Sequence, residues 1–184
     1  MRYKAYVGKA KVDLVPSTLN LAGAEMELAG KVGREMLLRE AIAPVCRKYD
    51  FILIDPLPSL GLFTLNALAA ADSVVVPLQT RAYAFKAMPK LEATINLVRK
   101  LNPGLSIGGI VCTLSDRRTN FSQVVEQQIR TKYEDLVFQT VILMSVKLAK
   151  SPASGTPISI YAPDSAGDKA YAALAEEVEG HYGR

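Results

Sequence analysis

The most constraining feature of this sequence is the alternation of short, β-branched apolar runs with longer stretches of helical periodicity. One apolar run occupies residues 51–54 and ends directly in Asp55, and similar runs occupy residues 73–78 and 107–114. A continuous apolar run is typical of a strand that is buried on both faces, as in a parallel sheet. The alternation therefore predicts an α/β protein with a doubly wound, mostly parallel sheet flanked by helices.

The length of 184 residues suits a single domain covering residues 1–184. The other predicted strands lie at residues 11–16 and 137–143, and a short extended piece lies at residues 157–161. Helices are predicted at residues 59–71, 89–101, 121–133 and 166–182. Residues 19–49 are predicted to be mostly helical, although Gly30, Gly33 and Pro44 weaken that helix.

The composition excludes several classes of function. No apolar run reaches the roughly 18 to 20 residues that span a bilayer, so we expect a cytoplasmic protein without membrane contact. The two cysteines lack CxxC spacing and read as small buried hydrophobes, and His181 is the sole histidine, so neither a zinc site nor a disulfide framework is predicted. The net charge of +4 permits contact with phosphate backbones, whereas 7% aromatics without tryptophan disfavour a base-stacking surface.

Asp55 is the first candidate functional residue. In open α/β sheets ligands gather at the carboxyl ends of the strands. Four apolar residues followed by an aspartate form the Walker B pattern, in which the carboxylate points at magnesium or at a water on it. The alternative is an aspartate that only accepts a hydrogen bond in a turn.

Longer motifs resolve that choice. Residues 50–68 read DFILIDPLPSLGLFTLNAL, residues 116–120 read DRRTN, and residues 151–158 read SPASGTPI; upstream, residues 13–17 read DLVPS and residues 21–25 read LAGAE. In this order and spacing, the motifs closely resemble the ParA/Soj family of partition ATPases. The resemblance covers residues 12–180, nearly the whole chain.

The resemblance implies a P-loop NTPase fold with ATP and Mg²⁺ as cofactors. Asp55 would bind Mg²⁺ through water, with Pro58 and Ser59 in the adjoining switch segment. The positions that match the adenine side of the family's site are Thr113, Leu143 and Met144.

One part of the family pattern is missing from these residues. The family's loop K-G-G-x-G-K-[ST] cradles the phosphates with backbone amides and a lysine, and no such loop occurs in the 184 residues. We therefore expect an incomplete P-loop fold, a ParA-like domain lacking its N-terminal phosphate-loop segment, with negligible ATP hydrolysis by this chain alone. The sequence DPLP at residues 55–58 and ILMSVKL at residues 142–148 also depart from the family's D-x-P-P and I-P-R-N-V-R-L, which predicts weakened adenine recognition.

The missing segment has a consequence for folding. In the family, the phosphate-loop strand pairs beside the strand at residues 51–54, so its loss leaves backbone groups and apolar faces uncovered. The chain is then expected to rearrange its sheet, to pair with another chain, or to be a fragment of a longer protein. Residues 2–9 are a candidate substitute edge segment.

The resemblance also implies partners. Partition ATPases of this type bind DNA non-specifically as nucleotide-bound dimers, so a homodimer or a dimer with a paralogue, a ParB-type partner and a nucleoid location are expected. Lys147 matches the arginine of the family's V-R-L, and its candidate neighbours in contacting DNA phosphates are Arg117, Arg118 and Lys150.

Three interpretations remain open. The first is a shortened or degenerate partition protein acting in plasmid, phage or chromosome segregation. The second is a regulatory pseudo-ATPase that pairs with a full-length ParA-type ATPase or with DNA. The third is a truncated product without a role. An active ATPase would require sequence upstream of Met1.

Overall fold

The structure is a computed structural model and describes residues 3–7, 10–18, 21–57, 59, 61–81 and 84–183. The chain forms two compact units. The first comprises Met1–Pro16, Val75–Phe85 and Gly109–Arg184, and the second comprises Ser17–Val74 and Lys86–Gly108.

The strands form two sheets. β1 (Tyr3–Val7) and β2 (Ala10–Leu14) pair antiparallel, with Tyr3 opposite Leu14. β3 (Ser73–Gln79), β4 (Ser106–Ser115) and β5 (Val137–Leu143) form a three-stranded sheet in the order β3-β4-β5, in which β4 and β5 run parallel. A parallel sheet flanked by helices confirms the predicted α/β fold class.

Eight α-helices occur in the described residues, and short 3₁₀ turns connect several of them. The helices are α1 (Leu21–Leu28), α2 (Leu37–Ile42), α3 (Leu62–Ala70), α4 (Ala84–Val98), α5 (Asn120–Tyr133), α6 (Val146–Lys150), α7 (Ile158–Tyr161) and α8 (Ala166–Tyr182). Side-chain oxygens of Thr119, Ser145 and Ser165 accept amide hydrogen bonds at the starts of α5, α6 and α8, which satisfies donors that a helix N-terminus leaves unpaired.

Each unit has its own core. In the first unit Val111, Phe138 and Ile142 of the sheet pack against Leu148 of α6 and against an apolar stripe of α8 that contains Ala170, Leu174 and Val178. In the second unit Leu68 and Ala69 of α3 pack with Ile95 and Val98 of α4 and with Leu105. In α4 and in α8 the apolar residues of these cores recur at intervals of three or four, which places them on one face of each helix.

The predicted strand at residues 51–54 is wrong. These residues are extended but belong to no sheet, and Phe51, Ile52 and Leu53 are 45%, 39% and 89% exposed. A strand forms only where its backbone groups find a neighbouring strand. No described segment pairs with this one, so its apolar character alone does not make it a strand.

Four other sequence-based expectations also need correction. Residues 157–161 are not extended: they form the single helical turn α7, closed by a hydrogen bond of 2.8 Å from the Tyr161 amide to the Pro157 carbonyl. β3 is not buried on both faces, since Val75 is 39% exposed. β1, within the proposed edge segment at residues 2–9, pairs with β2 and not with the three-stranded sheet; Arg2, Gly8 and Lys9 lie outside the described residues. Cys112 is buried as expected, whereas Cys46 is exposed.

The long helical stretch at residues 19–49 is broken where its glycines predicted a break. α1 ends at Leu28, and Gly33 adopts a left-handed conformation with φ of 71° before the 3₁₀ turn Arg34–Met36. Glycine tolerates this conformation because it has no Cβ. α2 then ends at Ile42, two residues before Pro44.

Candidate functional site

The carboxyl ends of β4 and β5 lie side by side in the first unit. Ser115 is in register with Leu143, and the Met144 amide donates a hydrogen bond of 3.0 Å to the Ser115 carbonyl. This pairing brings the two loops that follow the strands together, and both loops carry predicted site residues. The three adenine-side candidates, Thr113, Leu143 and Met144, therefore lie at one end of the sheet, and Met144 is 48% exposed there.

A cluster of buried hydroxyl groups fixes this end of the sheet. Ser122, near the start of α5, lies 2.6 Å from the Thr80 hydroxyl and 3.3 Å from the Ser115 hydroxyl. All three side chains are at most 4% exposed. The Asp116 amide donates to the Ser122 hydroxyl at 3.1 Å, so the turn after β4 is attached to a rigid polar core. Buried polar groups that are mutually hydrogen-bonded specify one arrangement.

The turn at residues 116–119 presents an ion pair at the surface. Arg118 donates from Nε to Oδ1 of Asp116 at 2.9 Å and from Nη2 to Oδ2 at 2.8 Å, and its backbone amide also donates to Oδ1 at 3.1 Å. The Arg118 side chain is 81% exposed. The hydrogen bonds from the Arg118 side chain, followed by the one from its amide, lower the pKa of Asp116 to about 2.

Three further cations lie on the segments that follow β4 and β5. Arg117 precedes Arg118, and Lys147 and Lys150 lie on α6, which begins directly after the β5 loop. All three side chains are exposed, and none forms an ion pair with another described residue. Because the Met144 amide bonds the Ser115 carbonyl, the four predicted DNA-contacting residues lie on two segments that leave the same end of the sheet.

The same end of the sheet carries a strained residue and exposed apolar side chains. Leu114, the penultimate residue of β4, has φ of 50°, a left-handed conformation that costs energy for a residue with a Cβ. Leu114 is 38% exposed and Val146 is 68% exposed. Left-handed backbone conformations of residues other than glycine concentrate at functional sites. The one at Leu114 lies at the end of the sheet that carries the predicted site residues.

The other predicted residues lie in the second unit. Asp55 is exposed, in the irregular segment that precedes α3, and it has no hydrogen-bond or ion-pair partner among the described residues. Ser59 is exposed as well, and its amide donates to the Leu57 carbonyl at 2.7 Å. Pro58 lies outside the described residues.

Three polar residues of the second unit hold this segment and α3, and sequence reasoning assigned none of them a role. The Thr64 hydroxyl bonds the carbonyls of Leu57, at 3.2 Å, and of Ser59. Glu25 accepts from the Leu62 amide at 2.8 Å at the start of α3, where a carboxylate is favoured by the helix dipole.

Asn66 is the third of these residues. It donates to the carbonyls of Arg34 and Leu62 and accepts from the Leu38 amide at 3.0 Å. The sequence carried a signal for Thr64 and Asn66, because they are the two polar residues of the otherwise apolar helix α3.

The described residues around Asp55 do not fit a magnesium–triphosphate complex. The carboxylate is exposed in an irregular segment and not at the tip of a sheet strand, and the 184 residues contain no glycine-rich loop with a lysine. Holding a triphosphate requires such backbone amides and a cation. No catalytic step is therefore derived from these residues.

Comparison with known proteins decides the family. A family model described as an AAA domain matches residues 3–107, more than half of the chain. The sporulation initiation inhibitor protein Soj of Bacillus subtilis is 44% identical over 168 residues, covering 91% of this chain and 66% of its own. The chain belongs to the ParA/Soj-type ATPase family. The chromosome-partitioning ATPase Soj of Thermus thermophilus is 47% identical over 90% of this chain and 65% of its own.

A solved structure shares the α/β fold of this chain. Cobyrinic acid a,c-diamide synthase from Mycobacterium smegmatis, with bound ADP and magnesium, superposes with a TM-score of 0.76 at 32% identity, covering 97% of this chain and 67% of its own. The homologues are chromosome-partitioning ATPases of the ParA/Soj type, and this chain spans just under two thirds of the length of each of the two curated relatives named above.

No helix among the described residues is long and apolar enough to cross a membrane.

Proposed function

We propose that this chain is a partition protein of the ParA/Soj type that binds DNA non-specifically and does not hydrolyse ATP on its own. The observation that carries the proposal is the basic surface at the carboxyl end of β4 and β5, formed by Arg117, Arg118, Lys147 and Lys150. Exposed cations at one end of a sheet can neutralise the phosphates of a DNA backbone, and such contacts give affinity without sequence preference.

The proposal includes the family's wider setting. The chain would act on nucleoid or plasmid DNA as a homodimer or as a dimer with a paralogue, and a ParB-type protein would be its regulatory partner. ATP and Mg²⁺ are the cofactors of the family. Asp55 would approach the metal through water only if a phosphate loop were supplied, because the residues around it do not fit the complex by themselves. Phosphoryl transfer depends mostly on positioning and charge stabilisation, which the missing phosphate loop would have to supply.

DNA binding is tested by fluorescence anisotropy of a labelled duplex over a series of salt concentrations. The logarithm of affinity is expected to fall linearly with the logarithm of salt concentration, and Lys147→Ala should reduce the slope by about 0.9, the value of one phosphate contact. Lys132→Ala is the matched control, because Lys132 lies in the last turn of α5, at the other end of the helix from the basic surface. Binding that is absent or insensitive to salt would refute the proposal.

ATP hydrolysis is tested on the same purified chain. Release of radiolabelled phosphate from ATP with Mg²⁺ should not exceed the rate without protein, with and without DNA. Turnover comparable to that of an intact family member would show that the chain organises the phosphates by itself.

A second candidate function is favoured by the exposed apolar segment before α3. Phe51, Leu53 and Leu57 are 45%, 89% and 56% exposed, and large exposed apolar patches often mark protein interfaces. We propose as the alternative that the chain is a regulatory pseudo-ATPase that pairs with a full-length ParA-type ATPase. Co-elution with such an ATPase that Leu53→Asp abolishes would support this alternative, and separate elution of the native chain would exclude it.

A further inference from the structure

Two uncharged side chains of α5 hold the turn at residues 116–119, which carries two of the four cations of the basic surface. The Asp116 amide donates a hydrogen bond of 3.1 Å to the Ser122 hydroxyl. Nε2 of Gln123 donates one of 3.0 Å to the Arg117 carbonyl. The backbone of the turn is therefore attached at two successive residues to the first turn of the helix that follows it.

Ser122 is a fixed anchor, because its own hydroxyl is held inside the first unit. The residue is 4% exposed, and its Oγ lies 2.6 Å from the hydroxyl of Thr80, directly after β3, and 3.3 Å from that of Ser115. A hydroxyl can donate one hydrogen bond and accept two, so Ser122 can accept the Asp116 amide while it is bonded within this cluster. Buried polar groups that satisfy one another hold a single arrangement.

The held turn fixes the direction of one exposed guanidinium. The Asp116 carboxylate accepts from Nε and Nη2 of Arg118 at 2.9 and 2.8 Å, while the Arg118 side chain is 81% exposed. A guanidinium carries five N–H groups in a planar fork, so the edge formed by Nη1 and Nη2 remains open to solvent. That edge can donate two parallel hydrogen bonds to a phosphate.

We infer that Ser122 and Gln123 are positioning residues for DNA binding, which hold the turn so that Arg118 presents its open edge to a backbone phosphate. This inference rests on the proposed DNA binding by the basic surface. A guanidinium that is already held in place loses less conformational freedom when it binds. Release of the turn should therefore remove the Arg118 contact, whereas the contact of Lys147, on α6, should remain.

The test is the salt dependence of binding of the full chain to a labelled DNA duplex, compared with Ser122→Ala, which leaves the net charge unchanged. The slope of log affinity against log salt should be shallower by about 0.9, as it should be in Arg118→Ala. Between about 50 and 200 mM salt the affinity of the variant should then fall about threefold less than that of the native chain. A loss of folded protein alone would lower the signal and leave this slope unchanged.

Two double variants separate an effect through Arg118 from a general effect. Ser122→Ala combined with Arg118→Ala should show the slope of Arg118→Ala alone, because both changes remove the same contact. Ser122→Ala combined with Lys147→Ala should lose about 1.8 in slope, because two independent phosphate contacts are removed.

The matched control is Ser115→Ala, which removes another buried hydroxyl of the same cluster by the same chemical change. Ser115 is 2% exposed, but its hydroxyl bonds Ser122 and not the turn, so the slope should equal that of the native chain. Gln123→Ala is a second variant at an exposed position, and it decides the test if Ser122→Ala does not fold. It should also make the slope shallower, whereas Gln127→Ala, one helical turn further along α5, should not.

The outcomes separate the two proposals. A shallower slope for Ser122→Ala that requires Arg118, with Ser115→Ala unchanged, supports the inference. A native slope in both Ser122→Ala and Gln123→Ala, or an equal change in Ser115→Ala, overturns the inference but leaves the DNA-binding proposal intact as long as Lys147→Ala is shallower. Absence of salt-dependent binding in the native chain and in every variant overturns both.

Discussion

Glu177 on α8 should contribute strongly to the stability of the first unit, because its carboxylate accepts hydrogen bonds from backbone amides at an irregularity in the sheet. In the pairing of β4 with β5, the three residues from Ile110 to Cys112 of β4 are opposite the five residues from Val137 to Val141 of β5. The Glu177 carboxylate accepts the amides of Gln139 and Thr140 at 2.7 Å each and also the Thr140 hydroxyl.

The cost of removing this carboxylate follows from those three hydrogen bonds. A hydrogen bond to a charged group contributes about 1.5–3 kcal/mol, but Gln139 is exposed and water would replace part of the loss. We expect Glu177→Ala to lower the free energy of unfolding by about 2 kcal/mol. For a chain of this length that corresponds to a fall in Tm of about 4–8 °C. Glu177→Gln retains one oxygen acceptor and should cost less.

The measurement is thermal and urea unfolding followed by far-UV circular dichroism. Glu176→Ala is the matched control, because Glu176 is the preceding residue of the same helix, is exposed and has no hydrogen-bond partner among the described residues. Its unfolding free energy should remain within about 0.5 kcal/mol of the native value. Equal losses in the two alanine variants would show that the Glu177 hydrogen bonds do not stabilise the sheet and that the reasoning is wrong.

Three further predictions concern packing, hydrogen bonding and ionisation. A Cβ on Gly109 would overlap the Phe138 ring, so Gly109→Ala should lower the free energy of unfolding in urea by about 1–3 kcal/mol. Gly180 has open space around it, so Gly180→Ala should stabilise α8 by up to about 1 kcal/mol. Equal effects of the two substitutions would refute the close contact between Gly109 and Phe138. Asn66→Ala leaves the Leu38 amide without its acceptor and should cost about 1–3 kcal/mol, and a change below 0.5 kcal/mol, roughly the scatter of surface substitutions, would contradict this. The Asp116 carboxyl should titrate by NMR near pH 2, and its pKa should rise toward its ordinary range in Arg118→Ala, which removes the side-chain hydrogen bonds but keeps the one from the backbone amide. Because its folded pKa lies below the unfolded value, the stabilisation by the pair is present above about pH 4 and is lost as the pH falls through about 2.

Elements whose determinants lie within their own residues were predictable from the sequence. The strand at Val137–Leu143 and the helix at Ala166–Tyr182 occur at the predicted bounds, because β-branched residues in the one and helical periodicity in the other suffice to define them. The breaks near Gly30 and Gly33 were predictable for the same reason. The basic residues that follow β4 and β5 were named from the family resemblance, and their contact with DNA stays a prediction.

Features that depend on a distant partner were not predictable. The apolar residues 51–54 have the composition of a central strand, yet a strand requires a neighbour that the local pattern does not reveal. The contacts of Glu177 with the bulge of β5 join residues 37 and 38 positions apart. The pairing of Asp116 with Arg118 was within reach of the sequence, because aspartates commonly bond the backbone two residues on.

The central claim, that these residues alone cannot hold a triphosphate, is tested most directly by isothermal titration calorimetry of the purified chain with ATP and Mg²⁺. We predict no saturable heat of binding at ATP concentrations up to about 1 mM, a level that would reveal any binding free energy more favourable than about −4 kcal/mol. A saturating one-to-one isotherm with micromolar affinity, lost in Asp55→Asn, would contradict the claim.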